Sequence, residues 1–136
     1  MDETQRTRDV VGRYFETMRG REWDAFGQLL AEDVVYELPQ TREVISGRDR
    51  YLAFNREYPG DWGLTLTRLI VDGHTAAGSM NFTVGDQELV GLVFLEVRDG
   101  LVTRVTDFWP EPYEPPAGRK HLVDRSPASI DRLSIP

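Results

Sequence analysis

The chain of 136 residues contains no cysteine, which excludes a disulfide framework, a thiol nucleophile and a thiolate metal site. No apolar run approaches the roughly 18 residues that a membrane-spanning helix needs. The charged N-terminus, residues 1–6, lacks the apolar stretch of a signal peptide, so we expect a cytoplasmic protein with no membrane contact. Lysine and arginine form no cluster and the formal net charge is −7, which argues against nucleic-acid binding.

The residues that are present predict one globular domain with a distinct tail. Hydrophobic residues make up 40% of the chain and charged residues 29%, which is typical of a folded protein. Six of the eight prolines but only one of the twelve glycines lie in residues 110–136, where four basic and four acidic residues cancel. We therefore predict an acidic domain over residues 1–109 and a neutral, proline-rich C-terminal arm over residues 110–136. The arm is too poor in backbone donors to extend a sheet, and we expect it to lie across the domain near the pocket mouth or the dimer seam, with Tyr113 as an anchor.

Apolar spacing predicts three helices in the first 60 residues. Residues 4–19 carry one apolar stripe and end at Gly20, which is a common helix stop. A second short helix follows, with one face formed by Trp23, Phe26, Leu29 and Leu30. Ser46 and Asp49 form a capping-box pattern, which predicts that Ser46 is the N-cap of a third helix that Pro59 and Gly60 terminate.

The remaining pattern has the period of two that is typical of strands. Residues 34–38 form a β-branched and aromatic run that Pro39 ends. From residue 63 onward, turn signals at residues 72–73, 85–86 and 99–100 separate four strands that alternate apolar and polar residues. The order of elements predicts an α+β fold, with one curved antiparallel sheet and the three N-terminal helices packed on one of its faces.

The strand over residues 89–97 is apolar on both sides. Gly91, Val93 and Leu95 face one way, and Val90, Leu92 and Phe94 face the other. Because the helices cover only one face of the sheet, we predict that the outer face packs against a second copy in a homodimer. The alternative is that the chain's own tail covers this strand.

This order of elements resembles the nuclear transport factor 2-like fold, and most closely its SnoaL-like members, which are named for a polyketide cyclase. The resemblance covers about residues 5–109 and rests on five segments: residues 10–15 (VVGRYF), 22–26 (EWDAF), 30–36 (LAEDVVY), 46–49 (SGRD) and 99–109 (DGLVTRVTDFW). It implies a cone-shaped domain whose helices and concave sheet face enclose an apolar pocket. It does not fix the function, because this fold hosts isomerases, dehydratases, epoxide hydrolases, cyclases and non-enzymatic binders.

Asp107 and Tyr14 are the candidate catalytic residues. Asp107 shares a strand face with apolar residues, and burial there would raise its pKa toward the range that suits proton transfer. SnoaL-like cyclases are similar in using a pocket aspartate as acid and base for aldol closure. Tyr14 lies on the apolar stripe of the first helix, where ketosteroid isomerases resemble this chain in having a tyrosine that binds the substrate oxyanion. The alternatives are an Asp107 that is ion-paired or solvated and a Tyr14 that serves only the core.

The chain departs from two of the enzymes that it resembles. Ketosteroid isomerases have an aspartate base where this chain has Leu38, and a second carboxyl near the position of Val93. That departure argues against steroid isomerisation of their type. Limonene-type epoxide hydrolases match at Asp107, but they also use an arginine and a second aspartate that residues 76–81 do not supply.

The remaining candidates are pocket walls. We predict that the substrate pocket is lined by Tyr36, Leu38, Tyr51, Phe54, Asn81, Val93 and Trp109. Asn81 depends on strand register, because it faces outward if Met80 and Phe82 face the pocket. The two histidines, His74 and His121, are isolated, so we expect no metal, and no glycine-rich phosphate loop indicates a nucleotide cofactor.

Two functions of different classes fit these residues. The first is a SnoaL-like enzyme, of the aldol cyclase or isomerase type, in which Asp107 transfers protons on a hydrophobic carbonyl substrate while Tyr14 or Asn81 stabilises an enolate. The second is a non-catalytic binder that holds an apolar small molecule in the same pocket. A protein-partner adaptor is a third reading, for which no residue marks a partner site.

Overall fold

The computed structural model describes residues 2–126 and contains three helices. They are Glu3–Arg19 (α1), Trp23–Gln28 (α2) and Arg48–Arg56 (α3). The side chain of Asp2 caps α1 by accepting a hydrogen bond from the backbone N–H of Gln5 at 2.8 Å. The second helix is shorter than the sequence predicts, because Leu29 caps it and Leu30 already begins a strand.

Six strands form a single sheet. They are Leu30–Leu38 (β1), Glu43–Ser46 (β2), Trp62–Asp72 (β3), Thr75–Val84 (β4), Gln87–Arg98 (β5) and Leu101–Phe108 (β6). Their order in the sheet is β2-β1-β6-β5-β4-β3, and every neighbouring pair is antiparallel except β1 and β6, which run parallel. The predicted α+β class is confirmed, and the sheet is mostly rather than wholly antiparallel.

The start of the third helix differs from the prediction. The N-cap is Gly47, at φ 101°, and no side chain caps the helix, so the capping box at Ser46 is wrong. Ser46 instead ends β2 and pairs with Val35 of β1, while the backbone N–H of Gly47 donates to the carbonyl of Val34 at 2.8 Å. Strand pairing therefore determines the backbone at Ser46, and the short, exposed β2 had no apolar pattern to reveal it.

The helices cover one face of the sheet, where the core forms. The long helix α1 packs on β3, and α3 packs on β1. Alternation along β5 agrees with the prediction: Val93 and Leu95 are buried, whereas Leu92 is 45% exposed and Phe94 is 52% exposed. The inner face of β5 therefore contributes to the core, and its outer face is an apolar surface.

The arm follows β6 without helix or strand as far as residue 126. Tyr113 is 83% exposed and Leu122 is also exposed, so Tyr113 does not anchor the arm at the pocket mouth of the single chain. Its predicted place at a dimer seam stays a prediction. The arm closes partly on itself through an ion pair between Arg125 and Glu114 at 3.1 Å. The end of the predicted arm, residues 127–136, lies outside the described residues.

Candidate active site

A cavity of about 310 Å³ opens between the helices and the inner face of the sheet. Helices α1 and α3 supply one wall, and strands β1, β3, β4, β5 and β6 supply the other. Its lining is dominated by aromatic and aliphatic side chains and includes no lysine, arginine or histidine. Among the described residues that line it, Asp107 alone carries a carboxylate.

Asp107 enters the cavity from β6, where its Cα pairs with that of Val93 on β5. The hydroxyl of Tyr36 donates to its Oδ2 at 2.6 Å. Burial raises the pKa of the Asp107 carboxyl from 3.8 to about 7, because desolvation penalises the charged form, and the Tyr36 hydrogen bond offsets part of that rise. A carboxyl of this kind can give or take a proton near neutral pH.

A second polar pair lies close to this carboxyl. The hydroxyls of Tyr14 on α1 and Tyr51 on α3 share a short hydrogen bond, and both rings are buried. Burial is the largest cause that raises the pKa of each hydroxyl, and the charge of Asp107 raises it further. Both tyrosines are therefore neutral, and only one of their two hydroxyl protons is used within the pair. The other can be donated to a bound oxygen atom.

Stacked rings join the two polar pairs. The Tyr36 ring stacks on that of Tyr51 with centroids 4.6 Å apart, and Phe54 lies 5.5 Å from Tyr36. Because Tyr36 holds Asp107 and Tyr51 holds Tyr14, this stack fixes the carboxyl relative to the tyrosine pair. A ligand carbonyl and the carbon beside it can therefore meet a donor and a base at the same time.

The outer part of the cavity is lined by further aromatic rings. Trp62 stacks on Phe82 at 5.9 Å, and Tyr58 meets Phe82 edge-on at 5.6 Å. Arg21, between α1 and α2, lies over the Trp62 ring with its Cζ 3.9 Å from the centroid, and its guanidinium donates to the Trp62 carbonyl. These flat apolar surfaces favour a ring-containing ligand.

Most of the predicted site residues line the cavity. They are Tyr14, Tyr36, Leu38, Tyr51, Phe54, Asp107 and Trp109. Asn81 does not line it, because Met80 and Phe82 face the cavity and strand alternation turns Asn81 to the other side of β4. Val93 does not line it either, because it is packed in the core at 1% exposure. The structure therefore leaves the tyrosine pair, rather than Asn81, as the candidate oxyanion donor.

Several lining residues were not predicted. Trp62 lies two residues before Leu64 on β3 and faces the same side. A strand predicted to begin at residue 62 instead of residue 63 would therefore have included Trp62. Met80 and Phe82 were not assigned to the pocket, because the sequence does not decide which side of β4 faces inward. Thr41 and Asn55 lie in a turn and at a helix end, where neither periodicity nor composition indicates a pocket.

The described residues also bear on cofactors and membranes. Residues 2–126 hold no group of three or more metal-ligating side chains. Within that same range, no helix has the length and apolar character required to cross a membrane.

The chain is similar to several known proteins. The SnoaL-like domain family matches residues 11–105. The crystal structure of a protein from Kribbella flavida DSM 17836, named "putative ketosteroid isomerase", is 63% identical, covers 98% of this chain and 99% of that chain, and has a TM-score of 0.92. No curated protein matches the chain significantly.

Two more distant structures share the fold. A "putative polyketide cyclase" from Xanthomonas campestris pv. campestris is 26% identical, with a TM-score of 0.66 over 80% of this chain and 93% of that chain. An LEH-like epoxide hydrolase from M. tuberculosis is 22% identical, with a TM-score of 0.68 over 81% and 82% of the two chains. The second likeness shows the fold alone.

Proposed function

Because this chain belongs to the SnoaL-like domain family, we propose that it is an enzyme that transfers protons on a hydrophobic carbonyl compound, with Asp107 as acid and base. The observation that carries the proposal is a single carboxyl, raised to a pKa of about 7, in a cavity that offers it no cation. Such a carboxyl is half ionised near neutral pH, where a group that must both accept and return a proton is most effective.

The first step breaks a C–H bond beside the carbonyl carbon. Oδ1 of Asp107 takes the proton, since Oδ2 is occupied by Tyr36. The electron pair moves into the carbonyl group and gives an enolate oxygen. The free hydroxyl proton of the Tyr14–Tyr51 pair hydrogen-bonds that oxygen, in a site where water is scarce and the interaction is strong.

The second step consumes the enolate and returns the proton. If protonated Asp107 gives its proton to a different carbon of the enolate system, the reaction is an isomerisation. If the enolate carbon attacks another carbonyl of the same molecule, a C–C bond forms and Asp107 protonates the new alkoxide, which is an aldol closure. Either course restores the Asp107 carboxylate.

The name of the Kribbella flavida relative fits the first of these courses. In this chain, however, the positions that would carry the further carboxyls of a ketosteroid isomerase are Leu38 and Val93. Leu38 lines the cavity and Val93 is buried beside Asp107, and neither can ionise or donate a hydrogen bond. We therefore assign all proton transfer to one carboxyl.

Proton exchange on a simple ketone tests this proposal without knowledge of the natural substrate. The protein is incubated with 1-tetralone in D₂O, and loss of the α-proton signal is followed by ¹H NMR. The expected result is exchange faster than in buffer, which Asp107→Asn reduces by about 10²–10⁴-fold, the usual contribution of a proton-transfer group. Tyr14→Phe is expected to reduce the rate while Asp107 still titrates.

The matched control is Asp99→Asn, which changes an exposed aspartate in the β5–β6 turn and is expected to leave exchange unchanged. Full exchange activity in Asp107→Asn would refute the assignment of Asp107. A wild-type protein that binds the ketone without exchanging its protons would instead support the alternative function, a non-catalytic binder.

The outer face of the sheet supports a homodimer. Leu92, Phe94 and Ile70 are about half exposed there, and the Phe94 ring lies 6.1 Å from that of Phe108. Their surface is bordered by the ion pair of Arg104 and Glu37 at 2.9 Å, so both signs of charge are available for a symmetric partner. The occupant that we propose is a second copy of the chain.

Light scattering at micromolar concentration tests the dimer. The wild type is expected at twice the monomer mass, and Phe94→Glu is expected at the monomer mass because it would bury charges in the interface. Arg8→Glu changes the charge of an exposed residue on α1, which packs on the opposite face of the sheet, and should leave the dimer intact. A monomeric wild type would contradict the proposal.

We also keep the division of the chain into a domain, residues 1–109, and an arm, residues 110–136, as a proposal. Its support is that the described part of the arm has no helix or strand and exposes Tyr113 and Leu122. Limited proteolysis should cut the chain first beyond residue 109 and leave the rest intact. An early cut within the first 109 residues would contradict this division.

A further inference from the structure

Gly91 lies directly beneath the indole of Trp109 on the inner face of the sheet. A Cβ atom built on Gly91 would lie 2.5–2.8 Å from three carbon atoms of that ring, closer than real atoms approach. Gly91 is not among the glycines with a positive φ, so its backbone conformation does not require glycine. The missing side chain therefore serves the close approach of the ring.

The indole is held in this place on other sides too. Its edge packs against the Phe82 ring with centroids 5.6 Å apart, and the backbone N–H of Trp109 donates to the side-chain carbonyl of Gln40. A ring with these contacts has little freedom to move outward. Any group added at Gly91 would push it toward the cavity.

Trp109 is also next to the candidate base. It lies two residues after Asp107 on the same face of the strand, a distance of about 7 Å along the chain. With the ring flat on Gly91, the space over Asp107 stays open toward the outer aromatic wall. With the ring raised, that space would shorten, and a long ligand would clash before its carbonyl reached the tyrosine pair.

We propose that the contact between Gly91 and Trp109 sets the upper size limit of the ligand that the cavity accepts over Asp107. Gly91 is a positioning residue for Trp109, and Trp109 is the specificity-determining residue that touches the ligand. The proposal rests on the proposed function only for the kind of ligand, a neutral ring-containing carbonyl compound.

Binding of two ketones of different size tests the proposal. Affinities for acetophenone, with one ring, and fluorenone, with three fused rings, are measured by calorimetry on the full chain. Gly91→Ala is expected to weaken the binding of fluorenone by about tenfold or more and the binding of acetophenone by less than about threefold. Gly12→Ala, at a helix position with no atom within 4 Å of the added carbon, is the matched control and should change neither affinity.

A double variant separates the size limit from a general loss of structure. Phenylalanine at position 109 leaves room for a side chain at position 91. Gly91→Ala combined with Trp109→Phe should therefore bind fluorenone within about threefold of Trp109→Phe alone, which is coupling between touching residues. The indole ¹H–¹⁵N resonance of Trp109, assigned by its loss in Trp109→Phe, should shift in Gly91→Ala without any ligand.

Three results would overturn the proposal. They are an equal loss of affinity for both ketones in Gly91→Ala, no recovery of fluorenone affinity in the double variant, or a wild type that binds neither ketone. An unchanged Trp109 resonance in Gly91→Ala would overturn its structural basis. These results are distinct from those for the proposed function. If Asp107→Asn retained full proton exchange while size selection persisted, the catalytic assignment would fail and the size limit would stand.

Discussion

At the scale of single residues, the environment of Asp107 separates this site from an ordinary buried ion pair. Its pKa is raised by burial, and the arginine nearest to it along β6, Arg104, pairs with Glu37 on the outer face instead. The alternating directions of side chains along β1 and β6 produce this separation, because they send Glu37 outward and Tyr36 inward. A carboxyl that no cation neutralises remains able to exchange a proton with a ligand.

The hydrogen bond from Tyr36 gives a prediction for the pH dependence of catalysis. This bond lowers the pKa of Asp107 against the larger effect of burial, so Tyr36→Phe should raise that pKa above about 7. Since the carboxylate is the base, the rise of the 1-tetralone exchange rate with pH should move to higher pH. An unchanged pH profile in Tyr36→Phe would show that the hydroxyl does not act on the carboxyl.

Burial of Asp107 also gives a prediction for stability. Its folded-state pKa is raised, so the folded protein holds a proton between about pH 4 and 7 that the unfolded chain has lost, and stability falls as pH rises through that window. Asp107→Asn removes this penalty. The variant should gain stability over the wild type by about 1.4 kcal/mol per pH unit across the window, and then the difference should level off.

Urea denaturation of both proteins from pH 4 to 8 measures that difference. Asp99→Asn, in an exposed turn, should follow the wild type at every pH. If the difference in unfolding free energy between Asp107→Asn and the wild type does not change with pH, the raised pKa of Asp107 is contradicted.

At the scale of secondary-structure elements, the starts of α1 and α3 differ in whether a side chain caps the helix. Asp2 caps α1 with a side-chain hydrogen bond, whereas Ser46 lies in β2 and caps nothing. Asp2→Ala should therefore lower the free energy of unfolding by about 1 kcal/mol, and Ser46→Ala should change it by less than about 0.5 kcal/mol. Thermal or urea denaturation checks both, and an effect of Ser46→Ala as large as that of Asp2→Ala would contradict the assignment of Gly47 as the N-cap.

The elements also show where sequence patterns are sufficient. Long periodic segments predict α1 and β4 to within a residue or so, because burial of one face imposes their spacing. β2 has four residues, of which only Ile45 is partly buried, so its pairing with β1 is a tertiary effect that no local pattern predicts. The capping signal at Ser46 is overruled by the same pairing.

At the scale of the whole molecule, the site depends on distances that local patterns do not encode. Strand alternation and an apolar stripe are enough to direct Asp107 and Tyr14 inward. They do not predict that Tyr51, 37 residues further along the chain, reaches the hydroxyl of Tyr14, or that the Trp109 ring lies on Gly91. Those contacts depend on how α1, α3 and three strands pack together, which the family resemblance supplies only as a fold.

The central claim is that the cavity makes Asp107 a base that works near neutral pH. The most direct test is a ¹³C NMR titration of its side-chain carboxyl, with the resonance assigned by its absence in Asp107→Asn. The expected midpoint is about pH 7, as burial in an apolar cavity requires. A midpoint near pH 4, the ordinary value of an aspartate, would contradict the claim.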